Sequence, residues 1–145
     1  MAKIPYTVKI ICLLGLIPFI MGTIGTFKLN IFGIETNNFF IELALLYSAL
    51  ILSFLGGCLF GFETLSEPFP RKSRLWLAIL PTIWALLALQ IPYFKASAMA
   101  IGFMIVFEFD RRASRNKITP EWWLNLRLPL TICVIISLAI IGFHD

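Results

Sequence analysis

A chain of 145 residues that is 59% apolar and only 14% charged lacks the polar shell a water-soluble domain of its size needs. Its mean hydropathy of +0.90 leaves no room for a separate soluble module, so residues 1–145 read as one membrane domain. The net charge of +4 does not mark a nucleic-acid binder, because the excess lies beside apolar stretches.

Five apolar stretches predict an all-α, polytopic membrane bundle with five transmembrane helices. Span one, 8–27, is interrupted by Gly15, Pro18, Gly22 and Gly25, and Pro18 predicts a kink because it cannot donate to the Leu14 carbonyl. The loop Lys28 to Phe39 carries turn residues and aromatics that suit a headgroup layer. Span two, 40–62, carries Ala49, Ser53, Gly57 and Gly61 at four-residue intervals, ending in a GxxxG. Such a strip lets helices approach closely, either within the bundle or as a groove for a partner.

The loop Glu63 to Arg74 leads to span three, 75–94, where Pro81 predicts a second kink and Trp76 and Tyr93 mark the interfaces. Span four, 96–109, has only 14 residues between Lys95 and Asp110, or about 21 Å of helix against a hydrocarbon core of about 30 Å. A tight turn at Pro92 and some bilayer thinning are expected there. After the basic segment Asp110 to Glu121, Thr119 with Pro120 and Glu121 predicts an N-cap for span five, 124–143.

These spans place Lys3, Lys9, Arg71, Lys72, Arg74, Arg111, Arg112, Arg115, Lys117 and Arg127 on one side, and only Lys28 and Lys95 on the other. The positive-inside bias then sets the N-terminus in the cytoplasm and the C-terminus outside. Basic inner loops are expected to attract anionic lipid headgroups. No cleavable signal or mitochondrial transit pattern is read at the N-terminus, so the expected address is a bacterial inner membrane, multi-pass.

Ionisable residues near span ends are the candidate sites. Arg127, about one turn into span five, is expected to pair with Glu63 or Glu108 in an inner-side charge cluster. Glu108 and Arg112, acid first and four apart, suit a local helical pair. Glu42 and Tyr47 form a possible outer polar site for a proton or cation. Cys12, Cys58 and Cys133 lack CxxC spacing and read as packing residues. The one histidine, His144, is penultimate, and no GxSxG, HExxH or phosphate-binding loop occurs. No cofactor, metal site or catalytic residue is therefore expected.

The segment Tyr47 to Glu63 resembles a family of small membrane proteins of unknown function that includes mitochondrial transmembrane protein 69. Further points of resemblance are Leu16 to Phe19, Trp84, and Pro120 to Thr131 with Arg127. Where relatives carry His-Trp-Gly after the paired glycines, this chain has Leu59, Phe60 and Gly61, so no cofactor-ligating histidine carries over. The resemblance implies a helical bundle in energy-transducing membranes of bacteria and mitochondria, and no defined activity. The leading expectation is a non-enzymatic accessory or assembly factor for a larger membrane complex. A small oligomeric transporter or channel for protons or a small solute is the alternative, and an intramembrane lipid-acting enzyme is a second.

Overall fold

The computed structural model describes residues 3–27, 37–66 and 72–144, and among them all regular structure is helical. The helices are α1 (Tyr6–Leu14), α2 (Ile17–Thr26), α3 (Asn37–Thr64), α4 (Lys72–Ala88), α5 (Lys95–Arg115) and α6 (Trp123–His144). Three stretches are long and apolar enough to cross a membrane: Tyr6–Thr26, Asn38–Thr64 and Trp123–Phe143. Most of the predicted outer loop, 28–36, and residues 67–71 of the first inner loop lie outside the described residues.

Pro18 acts as predicted, though the break falls just before it. The Leu14 carbonyl receives no proline N–H, α1 stops at Leu14, and the Leu16 amide bonds back to Leu13 at 3.1 Å in a tighter turn. Pro18 then sits in the first turn of α2, where a missing donor costs nothing. Pro81 lies inside α4 and Pro129, which the sequence reading passed over, inside α6.

Two boundaries differ from the sequence reading. Span three was expected to reach residue 94, but α4 ends at Ala88, where the Gln90 and Ile91 amides bond Leu87 and Ala88 in tighter turns ahead of Pro92, which disfavours helix at Ile91. The reversal runs through Tyr93 in the left-handed region at φ 67°. Span four was expected to stop at 109, yet α5 continues to Arg115, since Glu108 bonds Arg111 and Arg112 along the same face. Its 21 residues make about 31 Å of helix, although the last two turns are charged.

α5 stops without glycine. The Ile118 amide bonds to the Ala113 carbonyl at 3.0 Å and the Lys117 amide to Ser114 at 2.9 Å, with Lys117 left-handed at φ 57°. That is a Schellman closure, and it folds Ile118 back onto the core. The expected Thr119 N-cap does not form. α6 begins at Trp123, after a turn in which the Trp123 amide meets the Pro120 carbonyl, and the buried Thr119 hydroxyl has no partner among the described residues.

From α3 onward successive helices run up and down, and ion pairs at the two ends fix the order. Glu63 at the end of α3 meets Arg74 at the start of α4, while Glu42 at the other end of α3 meets Lys95 at the start of α5. α4 and α5 therefore run from one end of the bundle to the other. Phe19 lies at the centre, its ring edge-on to Tyr47 at 5.5 Å and to Phe103 at 6.1 Å. Leu45, Leu52, Met99, Leu138 and Ile141 complete this core. Large apolar side chains such as Leu50, Phe54, Trp76 and Leu86 cover the outside, an inside-out distribution suited to lipid.

Glycine sets the closest crossings. A Cβ on Gly56 would lie 2.5 Å from the Ala78 carbonyl oxygen, a Cβ on Gly22 would fall on Ala44, and one on Gly102 would lie 2.7 Å from the Trp84 ring. Trp84 uses the last notch to donate its indole N–H to the Ala98 carbonyl at 2.8 Å. These small residues bring α2 to α3, α3 to α4 and α4 to α5.

Candidate functional site

The polar residues of the bundle gather at the end where α3 and α5 finish and α4 and α6 begin. Asp110 is completely buried there, and its two oxygens are taken by donors one helical turn apart on α6. Trp123 Nε1 donates to Oδ1 at 2.8 Å and Arg127 Nε to Oδ2 at 2.9 Å. The spacing of 123 and 127 aims both side chains at one carboxylate. Phe62 of α3 packs edge-on against the Trp123 ring at 4.9 Å, tying a third helix to the pair.

The predicted partner of Arg127 was Glu63 or Glu108, and the structure replaces both with Asp110. The reason lies in the length of α5. Because the helix continues beyond 109, Asp110 becomes an inward-facing helical residue instead of the first residue of a loop. Glu63 is buried and meets Arg74 at 3.6 Å. Glu108 points outward and bonds Arg111 at 2.7 Å and Arg112 at 2.9 Å, so the predicted Glu108–Arg112 pair is present. The predicted inner-side cluster is thus three separate pairings, two across helix junctions and one within α5.

Arg127 keeps one nitrogen, Nη2, without a partner among the described residues, and one turn later the Thr131 hydroxyl is in the same position. Both residues are more than nine-tenths buried. A buried guanidinium held by one carboxylate edge and an indole-anchored partner is built for position more than for proton transfer.

The predicted outer polar site comes apart. Glu42 is exposed and bonded to Lys95 at 3.3 Å, whereas Tyr47 turns inward. Its ring lies on Phe19, and a Cβ on Gly15 would be 3.4 Å from its hydroxyl, which places that hydroxyl beside the α1–α2 break. Five residues of helix separate the two side chains by about 140°, so they share no face.

The strip on α3 also divides. Ala49 is buried, and Ser53 accepts a hydrogen bond from Thr82 at 3.1 Å, but a Cβ on Gly57 or Gly61 would meet nothing within 4 Å among the described residues. Their expected packing inside the bundle is therefore corrected. Each four-residue step overshoots a full turn by about 40°, so from Ala49 to Gly61 the strip drifts about 120° around the helix. Gly56, one residue off the strip, makes the close crossing with α4. The sequence signal for it was the Gly56–Gly57 pair, which offers both faces.

Three cysteines stand free: Cys12 and Cys58 half-buried, Cys133 exposed. Among the described residues no group of three His, Cys, Asp or Glu is placed to hold a metal ion.

A family model described as a protein of unknown function (DUF3429) matches residues 4–143. The chain belongs to the DUF3429 family. No curated protein and no solved structure matches it significantly. The match runs from the start of α1 to the end of α6, so the DUF3429 unit takes in the Asp110–Arg127 junction, the glycine crossings and the open α3 face together.

Proposed function

We propose that this DUF3429 protein is a non-enzymatic accessory or assembly factor that docks beside a larger membrane complex through the outer face of α3. One observation carries the reading: Gly57 and Gly61, a turn apart, present bare backbone where none of the described residues packs against them. An outward glycine loses helix stability relative to alanine, about 1 kcal/mol in water, and here gains no contact with the described residues. Approach by a partner helix offsets that loss, because helix association in lipid depends on close van der Waals packing. Phe54 and Phe60 stand exposed beside the glycines and form the walls of the groove.

In this reading all five apolar stretches cross the membrane, with the N-terminus cytoplasmic and the C-terminus external. The end-to-end course of α4 and α5 between the Glu63–Arg74 and Glu42–Lys95 pairs supports it. A bacterial inner membrane is the proposed location, with mitochondrial transmembrane protein 69 as a distant relative. The transporter and lipid-enzyme alternatives draw less support: Glu42 is held by Lys95 and both oxygens of Asp110 are bonded.

The test is purification in mild detergent at native expression, comparing the parent with a Gly57→Leu/Gly61→Leu variant by mass spectrometry. A defined set of proteins should accompany the parent and be lost from a variant that is no less helical or thermally stable. Recovery of the parent as a lone monomer would contradict the proposal, as would identical company for both forms.

A further inference from the structure

Two hollows lie end to end along the seam between α4 and α5. The first, at the polar end, has a volume of about 330 Å³, and its walls include Glu63, Ser73, Arg74, Phe109 and Arg112. The second, about 280 Å³, begins one turn further on and is apolar, walled by Leu80, Pro81, Trp84, Ile105 and Val106. The seam therefore changes from cationic and hydrogen-bonding to purely apolar over about 20 Å of helix, from Arg74 to Leu87. Half the hydrocarbon core of a bilayer is about 15 Å.

We infer that this seam is a binding site for a single anionic phospholipid, its phosphate between Arg74 and Arg112 and one acyl chain lying along Leu80, Trp84 and Ile105. The inference rests on the proposed crossing of the membrane by α4 and α5, and goes beyond the docking role of α3. Charge complementarity selects the occupant. Among the described residues, Arg74 and Arg112 line the hollow with Glu63, while Glu108 bonds Arg112 and Arg111 beside it, three cations against two anions. A guanidinium has five N–H donors in a fork suited to phosphate oxygens. Arg112 gives Nε to Glu108, and Arg74 touches Glu63 only at 3.6 Å, so each keeps donors for a further anion.

The apolar half is shaped by the same notch that receives Trp84. Gly102 has no side chain to fill the seam, and the indole is fixed by its bond to the Ala98 carbonyl, so it forms a rigid wall for a chain to lie on. Basic pockets between membrane helices at the cytoplasmic face are where anionic headgroups bind. A partner helix would require an open face of one character along its length, and this seam is graded.

The full chain, reconstituted in vesicles of equal phosphatidylglycerol and phosphatidylcholine and released in mild detergent, is examined by native mass spectrometry. One phosphatidylglycerol should be retained in preference to phosphatidylcholine by at least about tenfold. Arg74→Gln with Arg112→Gln should remove the preference. Ile105→Trp, which fills the apolar half without altering charge, should remove the retained lipid of either kind. Equal retention of both lipids by the parent overturns the inference, as does a preference that survives the double substitution, or a second protein copy retained without lipid. Flotation of the protein with the vesicles separates the two readings. Failure to float refutes membrane placement itself, whereas flotation without lipid preference refutes the lipid site alone.

Discussion

Replacing Arg127 with alanine would leave the Asp110 carboxylate completely buried with only the Trp123 indole to bond it. Removing one member of a buried, hydrogen-bonded ion pair typically costs about 3–5 kcal/mol, because the remaining charge has lost its compensation and cannot reach water. The exposed Glu108–Arg112 pair gives the contrast: on an open surface either side chain can turn to water when the other is removed, so little stability is lost. Arg127→Ala should therefore destabilise several times more than Arg112→Ala. Adding Asp110→Asn should recover a large part of the loss, since the asparagine carries no charge and still accepts from Trp123. The assay is reversible unfolding in mixed detergent, followed by helicity and tryptophan fluorescence, run as double-mutant cycles of Arg127 with Asp110, Glu63 and Glu108. Coupling should appear with Asp110 and be small with the two glutamates. An Arg127→Ala loss below about 1 kcal/mol, or coupling to Glu63 in place of Asp110, would refute this account of the junction.

Gly56→Leu should destabilise the bundle by about 1–3 kcal/mol, because its Cβ would press on a carbonyl oxygen of α4 that cannot move aside, while Gly57→Leu does not lower thermal stability. Equal losses at both positions in a melting experiment would show that the two faces are misassigned. Gly102→Ala should push the Trp84 indole out of its notch and break its bond to Ala98, altering tryptophan emission, and an unaltered spectrum would count against the notch. Lys117→Gly should stabilise by about 1 kcal/mol, since a left-handed residue with a Cβ is strained and the Schellman bonds do not use the side chain. A lower midpoint for that variant would show that the lysine side chain contributes more than its backbone costs. With the native cysteines replaced by serine, reporter cysteines at Ser97 and Ser114 should label from opposite sides if α5 crosses. Labelling from one side would remove that crossing.

Much of the architecture was legible because it follows from composition and periodicity. The apolar stretches at 40–62 and 124–143 became α3 and α6 with boundaries shifted by three residues or fewer. Pro18 predicted its break because the missing donor is a local covalent fact. The misreadings arose where a local rule competed with tertiary context. Asp110 looked like a loop residue because charge ends an apolar run, yet a partner on α6 allowed it to be helical and buried. Beyond Arg115 the left-handed position that closes α5 is held by Lys117 where glycine is favoured, so the strongest sequence mark of its stop was missing. The glycine pattern pointed to Gly57 and Gly61 because an i,i+4 count ignores the drift of a 3.6-residue helix. Glu42 and Tyr47 were grouped by proximity in sequence, which a helix turns into opposite directions.

The claim that α3 presents a docking face is tested most directly by placing the photo-crosslinking analogue of phenylalanine, benzoylphenylalanine, at Phe54 in cells. Phe54 is exposed beside Gly57, so the probe reports on whatever lies against that face without filling the glycine groove. The account predicts one discrete protein adduct, identifiable by mass, that disappears when Gly57→Leu is added. A chain that crosslinks only to lipid, or an adduct indifferent to Gly57→Leu, would contradict it.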